Sequence, residues 1–466
     1  MQKKFKLTAI FVLLLSLVTT MGFGCKGLST TEQQATKAVT LEYWTVFDDV
    51  DALRAQIAKY KADRPYITVN VRQLRADEIY QRLIEALAED RGPDIISINN
   101  RELRAYQSKL APMPVSVNDT LVRYEKTTLS GVNTIITPQV RSMVDLAGLD
   151  REYVKVIKND VVLDGRIFGL PLSLDTMAVF YNKDLADRAG IAEPPKNWDE
   201  FQSAVKKITK YDKKTGKIIQ SGTALGTGNN IPNSDDLLYI LFKQSNVGFV
   251  GNSGQAVFNY TPANMDRGAD SPAMSVLNFY TDFANSSRDT YAWDESMDSA
   301  LERFVNGSVG FFFGYSYHLP VIKARAPQLN LGVLPLFQLN PEQPVNVANY
   351  WVQAVVAKST KQNEAWGLID YLAHSGSVKE YLDVTGRPTA VRAYINSQKE
   401  NLELSPFVSQ LLVADNWYRG RDYSGATRAI DDMLHEWLQP IPNPDQAGLW
   451  KQNILNRAAS RVNQTL

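Results

Sequence analysis

Two short stretches carry side chains whose types and spacing could do chemistry. Trp44, Thr45, Asp48 and Asp49 stand at the end of the apolar run Leu41 to Phe47, and Asn99 and Asn100 stand at the end of another, Ile95 to Ile98. An indole beside hydroxyl and carboxylate oxygens suits a polyhydroxylated solute: the ring offers an apolar platform to C–H groups, and the oxygens accept hydroxyl protons. Each residue also has a plainer role. Trp44 would serve equally as a core residue, and Asp48 as an acidic residue stabilising the start of the helix that follows. Catalytic and phosphate-binding patterns are missing. The three histidines, His318, His374 and His435, form no HxxxH pair and adjoin no GxSxG serine, and the glycines between Gly222 and Asn230 lack GxGxxG spacing. Asp235-Asp236 and Asp431-Asp432 fit the first turns of helices, and no spacing singles out an acid/base pair. No metal site and no cofactor are expected.

The elements that must position these residues alternate along the chain. Leu41 to Phe47 reads as a strand, and Val50, Leu53, Ile57 and Tyr60 recur at helical spacing until Arg64-Pro65. Ile67 to Val71 reads as a strand, Ile79, Leu83, Ile84 and Leu87 mark a second helix, and Asp94 to Ile98 is a buried strand. Strand, helix, strand, helix, strand implies a parallel sheet covered on both faces, with ligands beyond the carboxyl ends of its strands, where Trp44, Asp48 and Asn99 lie. Leu110 to Asp150 is less regular. A second α/β block opens near Gly165 to Leu172 and continues through a strand from Met177 to Tyr181. It then reaches a helix capped by Asn197, with Glu200 three residues on and Phe201, Val205 and Ile208 on its apolar side. Strands are expected at Val309 to Phe313, Leu331 to Leu334 and Tyr350 to Ala357, with a mostly helical remainder.

The 466 residues balance 50 Lys and Arg against 50 Asp and Glu, so no net field favours a polyanion partner. Length alone suggests roughly three domains or two large ones. One cysteine, Cys25, excludes an intrachain disulfide and any multi-cysteine metal site. It follows a basic start, Met1 to Lys6, and an apolar run, Leu7 to Met21, which together read as a secretory signal too short for a comfortable membrane span. Gly22-Phe23-Gly24-Cys25 resembles a bacterial lipobox, departing from it at Gly22 and Phe23. The resemblance implies a signal peptide over 1–24 and a lipidated tether over 25–38, holding the protein outside the cytoplasm on the cell membrane.

Four stretches in order resemble the sugar-binding, family 1 type of bacterial extracellular solute-binding protein that serves ABC importers. They are Leu41-Glu42-Tyr43-Trp44 with the Asp94 to Ile98 strand; Gly169-Leu170-Pro171 through Val179 to Leu185; Trp198-Asp199-Glu200-Phe201; and Phe304 to Gly307 leading to Gly310 to Tyr315, with Gly386-Arg387-Pro388-Thr389 beyond. The resemblance implies a periplasmic-binding-protein-like α/β fold of type II: two lobes, a hinge and a cleft. It places residues 39–168 with about 300–345 in the first lobe and 169–299 with about 352–466 in the second. Crossings are expected near Gly169 to Leu174, Asp294 to Arg303 and Asn346 to Trp351. It also implies that Asp175 accepts solute hydroxyls near the hinge, that Tyr315 stacks on solute, and that Asn349 and Trp351 reach the cleft at the last crossing. Arg387 would approach the cleft from its loop. The competing roles are a capping residue in a turn for Asp175 and a surface residue for Arg387; Trp293 and Trp417 are more simply packing. The implied protein is a monomeric, non-enzymatic receptor that captures a mono- or oligosaccharide and delivers it to permease subunits. A secreted glycan-active enzyme or adhesin with a similar cleft is the alternative. Closure would turn on solute: shifting the lobes from 1:99 closed to 99:1 needs about 5.5 kcal/mol of preference for the closed form.

Overall fold

The computed structural model describes residues 29–127, 131–251, 254–261 and 270–466. The expected signal peptide and Cys25 lie outside these residues. Of the expected tether, residues 29–38 are described. They hold a one-and-a-half-turn helix, Thr30–Ala35, whose Ser29 and Glu32 close a capping box and which buries no side chain.

The first sheet runs in the order Ile67–Gln73, Val39–Thr45, Ile95–Asn99, Trp351–Val356 and Leu110–Ala111, with Leu170–Pro171 also beside Trp351–Val356. Its first three strands are parallel, and Trp351–Val356 enters antiparallel. The connecting helices form where the apolar spacing requires. Val50–Ala62 is capped by the Asp49 side chain and buries Leu53, Ile57 and Tyr60. Ile79–Ala88 buries Ile79, Leu83 and Leu87. Helices on both faces explain why Ile95, Ile96, Ser97 and Ile98 are all buried.

A second sheet has the order Lys210–Tyr211, Ile218–Thr223, Val309–Gly314, Ala178–Asn182 and Leu331–Pro335. The helix Trp198–Ile208 lies against it, its first turn satisfied by Asn197, whose Oδ1 accepts from Glu200 N at 2.9 Å. The two sheets have separate cores. One draws on residues between Leu41 and Leu174 and between Ala348 and Ala414. The other draws on Met177 to Val347 and Trp417 to Val462, with a satellite around Phe180, Phe304 and Phe312. Between them lies a small sheet of Asp175–Thr176, Asn346–Asn349 and Ala414–Asp415, one strand for each of three crossings.

The lobes therefore differ from those expected. No crossing occurs at Asp294 to Arg303: the segment about 300–345 stays in the second lobe. The reason is aromatic complementarity, since Phe311 and Phe313 pack on Phe201 while Phe312 packs on Phe180 and Phe304 from the other face. Most of residues 352 to about 413, placed from the sequence in the second lobe, belong to the first, because Trp351–Val356 pairs with Ile95–Asn99 and the helix Gln362–Ala373 packs on that sheet, while Phe407 reaches over to pack on Phe180 of the second. Leu170, Leu172 and Leu174 are in the first core, so the first crossing falls at Asp175–Thr176. The third, Ala414–Asp415, carried no sequence signal. The irregular stretch after Leu110 contains a hairpin of two twelve-residue strands, Ser116–Thr127 and Gly131–Ser142. Its outer part is exposed, with Tyr124 and Val132 in solvent, and Val140 nearer its base is exposed as well, so no apolar alternation marks it.

Candidate functional site

The cleft between the lobes encloses a cavity of about 250 Å³. The small sheet builds one wall through its register. Asp175 lies opposite Asn349, and two residues further on Trp351 lies opposite Asn99 at the end of the third parallel strand. Residues two apart on a strand share a face, so one short run of backbone gathers Asn99, Asp175, Asn349 and Trp351. Tyr350 sends its hydroxyl to Asp160 Oδ2 at 2.9 Å.

Hydrogen bonds fix these groups and leave some capacity free. Asn99 Nδ2 donates to Asn349 Oδ1 at 3.3 Å, and Asn99 Oδ1 accepts from Arg101 N at 3.1 Å. Asp175 Oδ2 accepts from Ser316 Oγ at 2.6 Å and Oδ1 from Thr176 N at 2.9 Å. Burial pushes the Asp175 carboxyl up to about 7, against the opposing pull of those donors and of Arg387. Asp48 Oδ2 is saturated by Thr45 Oγ1, Ser97 Oγ and Gln353 Nε2, whereas its Oδ1 meets only the Tyr381 hydroxyl, at 3.5 Å, among the described residues. Arg387 follows Gly386, whose φ of +61° ends the helix Ser375–Thr385 in the left-handed region and turns the chain into the cleft. Its Nη2 donates to the Phe47 carbonyl.

Apolar faces complete the cavity. The Phe47 ring is 5.4 Å from that of Trp351 and 5.7 Å from that of Tyr317 in the opposite lobe. Asp48, Asn99, Asp175, Asn349, Trp351 and Arg387 thus line the cavity together, with Phe47, Arg101, Asn233, Ser316, Tyr317 and Tyr423 among the remaining wall residues.

Trp44 and Tyr315 do not line it. Trp44 is 7% exposed and belongs to the first core, with the Arg72 guanidinium 5.5 Å from its ring. It sits in an inner strand flanked by layers on both faces, and the aromatic that clears the strand end is Phe47, 41% exposed. Tyr315 is fully buried, its hydroxyl donating to Asp236; Tyr317 stacks on it at 5.7 Å and takes the cavity position. Trp293 is held in the interior by Asn230 and Trp417 by Asp236. His318 is buried, pushed down to about 4 by burial, and accepts from Tyr315 N through Nδ1. His435 lies at the surface beside Glu295. Among the described residues, no group of three or more His, Cys, Asp or Glu side chains is placed to hold a metal.

The residue least visible in the sequence is Arg101. Only 3% exposed, it reaches from the first lobe to Asp236 in the second, which is fully buried, with Nη2 2.8 Å from Oδ1. Its Nη1 donates to Tyr423 Oη at 2.6 Å and its Nη2 also to the hinge carbonyl of Ala348 at 3.3 Å. Trp417 and Tyr315 donate to the same Asp236 carboxylate, and Tyr423 donates to Asp235 at 2.7 Å. Burial and the neighbouring Asp236 push Asp235 up to about 7. A second bridge joins Arg419, beyond the third crossing, to Asp160 of the first lobe at 2.9 Å. The signal that could have found Arg101 was its place two residues after Asn99, beyond the same strand end.

Two α/β lobes on a three-stranded hinge, with polar and aromatic groups facing each other across the gap, define a protein that encloses a small solute. Residues 46–379 match the bacterial extracellular solute-binding protein family, and the chain belongs to it. It is 24% identical over 265 residues to the multiple sugar-binding protein of Streptococcus mutans, covering 56% of this chain and 59% of that one. Its fold is similar to that of an ABC transporter solute-binding protein from Thermotoga lettingae bound with α-D-tagatose, with a TM-score of 0.67, 19% identity, and 92% and 99% of the two chains covered. It is also similar to an ABC substrate-binding protein from Listeria monocytogenes in complex with cycloalternan, with a TM-score of 0.65, 16% identity, and 92% and 99% covered.

Proposed function

We propose that this protein is an extracytoplasmic receptor that captures a carbohydrate between its lobes and delivers it to an ABC importer without altering it. The observation that carries this is the composition of the cavity, where Asn99, Asp175 and Asn349 converge beside the rings of Phe47, Trp351 and Tyr317. A sugar ring has an apolar face and a hydroxyl rim, and this wall offers a partner to each. Within the cavity Arg387 faces the carboxyls of Asp48 and Asp175, and Arg101 is matched by Asp236, so no surplus cation is left to hold an anionic solute. Relatives named for sugar binding and structural neighbours holding sugars support the same solute class.

On this proposal Cys25 carries the lipid that holds the receptor at the membrane, and closure of the lobes presents one continuous surface to the permease subunits. Among the described residues no helix is long and apolar enough to cross a membrane. The test is a panel of mono- and oligosaccharides followed by thermal stabilisation and tryptophan emission, with chromatography of the recovered sugar. Saturable binding with the sugar returned intact is expected. Turnover of the sugar would refute the proposal, and so would the absence of any sugar that binds.

A further inference from the structure

The first lobe carries a projection that solute capture does not use, the hairpin Ser116–Thr127 and Gly131–Ser142. Hydrogen bonds fix where it leaves the lobe. Val39, the first residue of its strand, donates from N to Tyr66 O at 2.9 Å, and Ile67 N donates to Arg64 O at 3.0 Å. The Arg64 side chain in turn grips Asp119 of the hairpin, Nε to Oδ1 at 2.6 Å, and Val122 N donates to Asp63 O at 2.8 Å, where the helix Val50–Ala62 ends. The hairpin is therefore tied to the lobe beside the start of the strand Val39–Thr45, and the cavity lies past the other end of that strand, at Phe47. Beyond Val122 its first strand runs five more residues, about 17 Å of extended chain. From these observations we infer that the outer half of the hairpin rests on the membrane surface as a second contact beside the lipid, its partner a bilayer with anionic headgroups. This rests on the proposed lipid anchoring at Cys25 and goes beyond it.

Place, chemistry and charge support it. The chain enters the lobe at Val39, fourteen residues after Cys25, and six of those are wound into the helix Thr30–Ala35. Such a tether spans about 40 Å at full stretch, so the acylated end stays near the pole from which the hairpin projects. Opposed residues of a hairpin share a face, which sets Tyr124 beside Thr134 and Lys126 beside Val132 on one side of the ribbon. Tyr124 and Val132 are each 59% exposed. A ring with a polar tip, an aliphatic side chain and a cation together suit the boundary between headgroups and acyl chains. Between Asp119 and Arg141 the only charged residues are Arg123, Glu125 and Lys126, all three exposed. The tip is thus net positive on a chain that is neutral overall, the sign that anionic headgroups attract.

The test uses the full chain, expressed with its own N-terminus and mixed with vesicles of phosphatidylcholine with or without phosphatidylglycerol. Asn133→Cys, exposed opposite Glu125, carries an environment-sensitive fluorophore; Lys214→Cys, exposed on the second lobe, is the control, and the parent treated alike reports any label on Cys25. Flotation reads the anchor, and quenching by lipid spin-labelled at the headgroup reads the hairpin. The probe at Asn133→Cys should be quenched, more on the anionic vesicles, and the probe at Lys214→Cys should stay as in water. Arg123→Glu with Lys126→Glu should lower that quenching about fivefold or more, since each basic residue near an anionic surface is worth about fivefold. A chain that floats while its Asn133→Cys probe stays as in water would overturn the inference and leave the anchoring standing. So would quenching that the double charge reversal leaves unchanged. A spectral shift that needs no vesicles and grows with protein concentration would place a second copy on the hairpin and overturn the inference too. A chain that stays out of the vesicles would overturn both.

Discussion

Replacing Asp236 by Asn should unlatch the lobes. The carboxylate is fully buried and receives Arg101 from the first lobe together with Tyr315 and Trp417 from its own. Asparagine keeps the shape and removes the charge, leaving Arg101 buried opposite a neutral amide. Removing one partner of a buried ion pair costs about 3–5 kcal/mol because the other charge stays desolvated. Here part of that is recovered. Tyr423 Oη and Ala348 O still accept from the guanidinium, and Asp235, relieved of the neighbouring charge that helps hold it at about 7, ionises more readily beside it. A net cost of about 2–3 kcal/mol is reasonable, falling on the closed arrangement alone, since in an opened cleft Arg101 is hydrated. That is about a 30- to 150-fold shift toward the open form, and solute affinity falls in proportion to the closed fraction. Where the parent is mainly open without solute the full factor should appear in calorimetry, and where it is mainly closed the shift should appear instead as a larger radius of gyration in small-angle scattering of the unliganded variant. Arg101→Gln should do the same more mildly, because Asp236 keeps Tyr315 and Trp417. The double variant should cost less than the sum of the two, as expected of a direct pair. Unchanged scattering together with unchanged affinity in a folded Asp236→Asn protein would refute the latch.

Other outcomes follow from the same geometry. Phe47→Ala and Trp351→Ala should each weaken solute binding by about 1–3 kcal/mol in calorimetry, as for buried contact platforms. Trp44→Ala should instead lower thermal stability, by about 3–5 kcal/mol as for an aromatic removed from a core, with little further change in affinity below the melting range. Asp175 has a folded pKa of about 7, above its ordinary value, so its contribution to stability is complete below the unfolded pKa and is lost as pH rises through about 7. Melting scans from pH 4 to about 8 should therefore fall less steeply for Asp175→Asn than for the parent, and the parent's solute affinity should rise over the upper part of that range as the carboxylate ionises to accept hydroxyls. Equal slopes in the two proteins would remove Asp175 from that role. Cys25→Ser should move the protein from the membrane to the soluble fraction, and its retention would refute lipid anchoring.

How far the site could be read from the sequence depended on whether a local rule governed the residue. Asp48 and Asn99 could be placed at the cavity because the cleft of such a sheet lies beyond its strand ends, and Asn197 at a helix start because capping is a local matter of one side chain and one turn. Trp44 was misplaced by the same rule applied one turn of chain too early: residues 43 to 45 are all buried inside the sheet, and the cleft begins at Phe47. Tyr315 and Tyr317 share a face and compete for one place, and only packing against Asp236 decides which stays inside. The lobe boundaries were obscured because an all-buried strand such as Phe311 to Phe313 suits either sheet; its membership depends on partners over a hundred residues away, Phe180 and Phe201. Arg101 and Asp236 are 135 residues apart, and no spacing announces a bridge that exists only when two separately built lobes meet.

The most direct test is a crystal structure of the protein grown with the sugar that stabilises it most. The account predicts electron density for that sugar between the lobes, with hydroxyls on Asn99, Asp175 and Asn349, a ring against Trp351 or Phe47, and the Arg101–Asp236 bridge in place. A sugar bound away from this cavity, or a closed cleft that excludes it, would contradict the account.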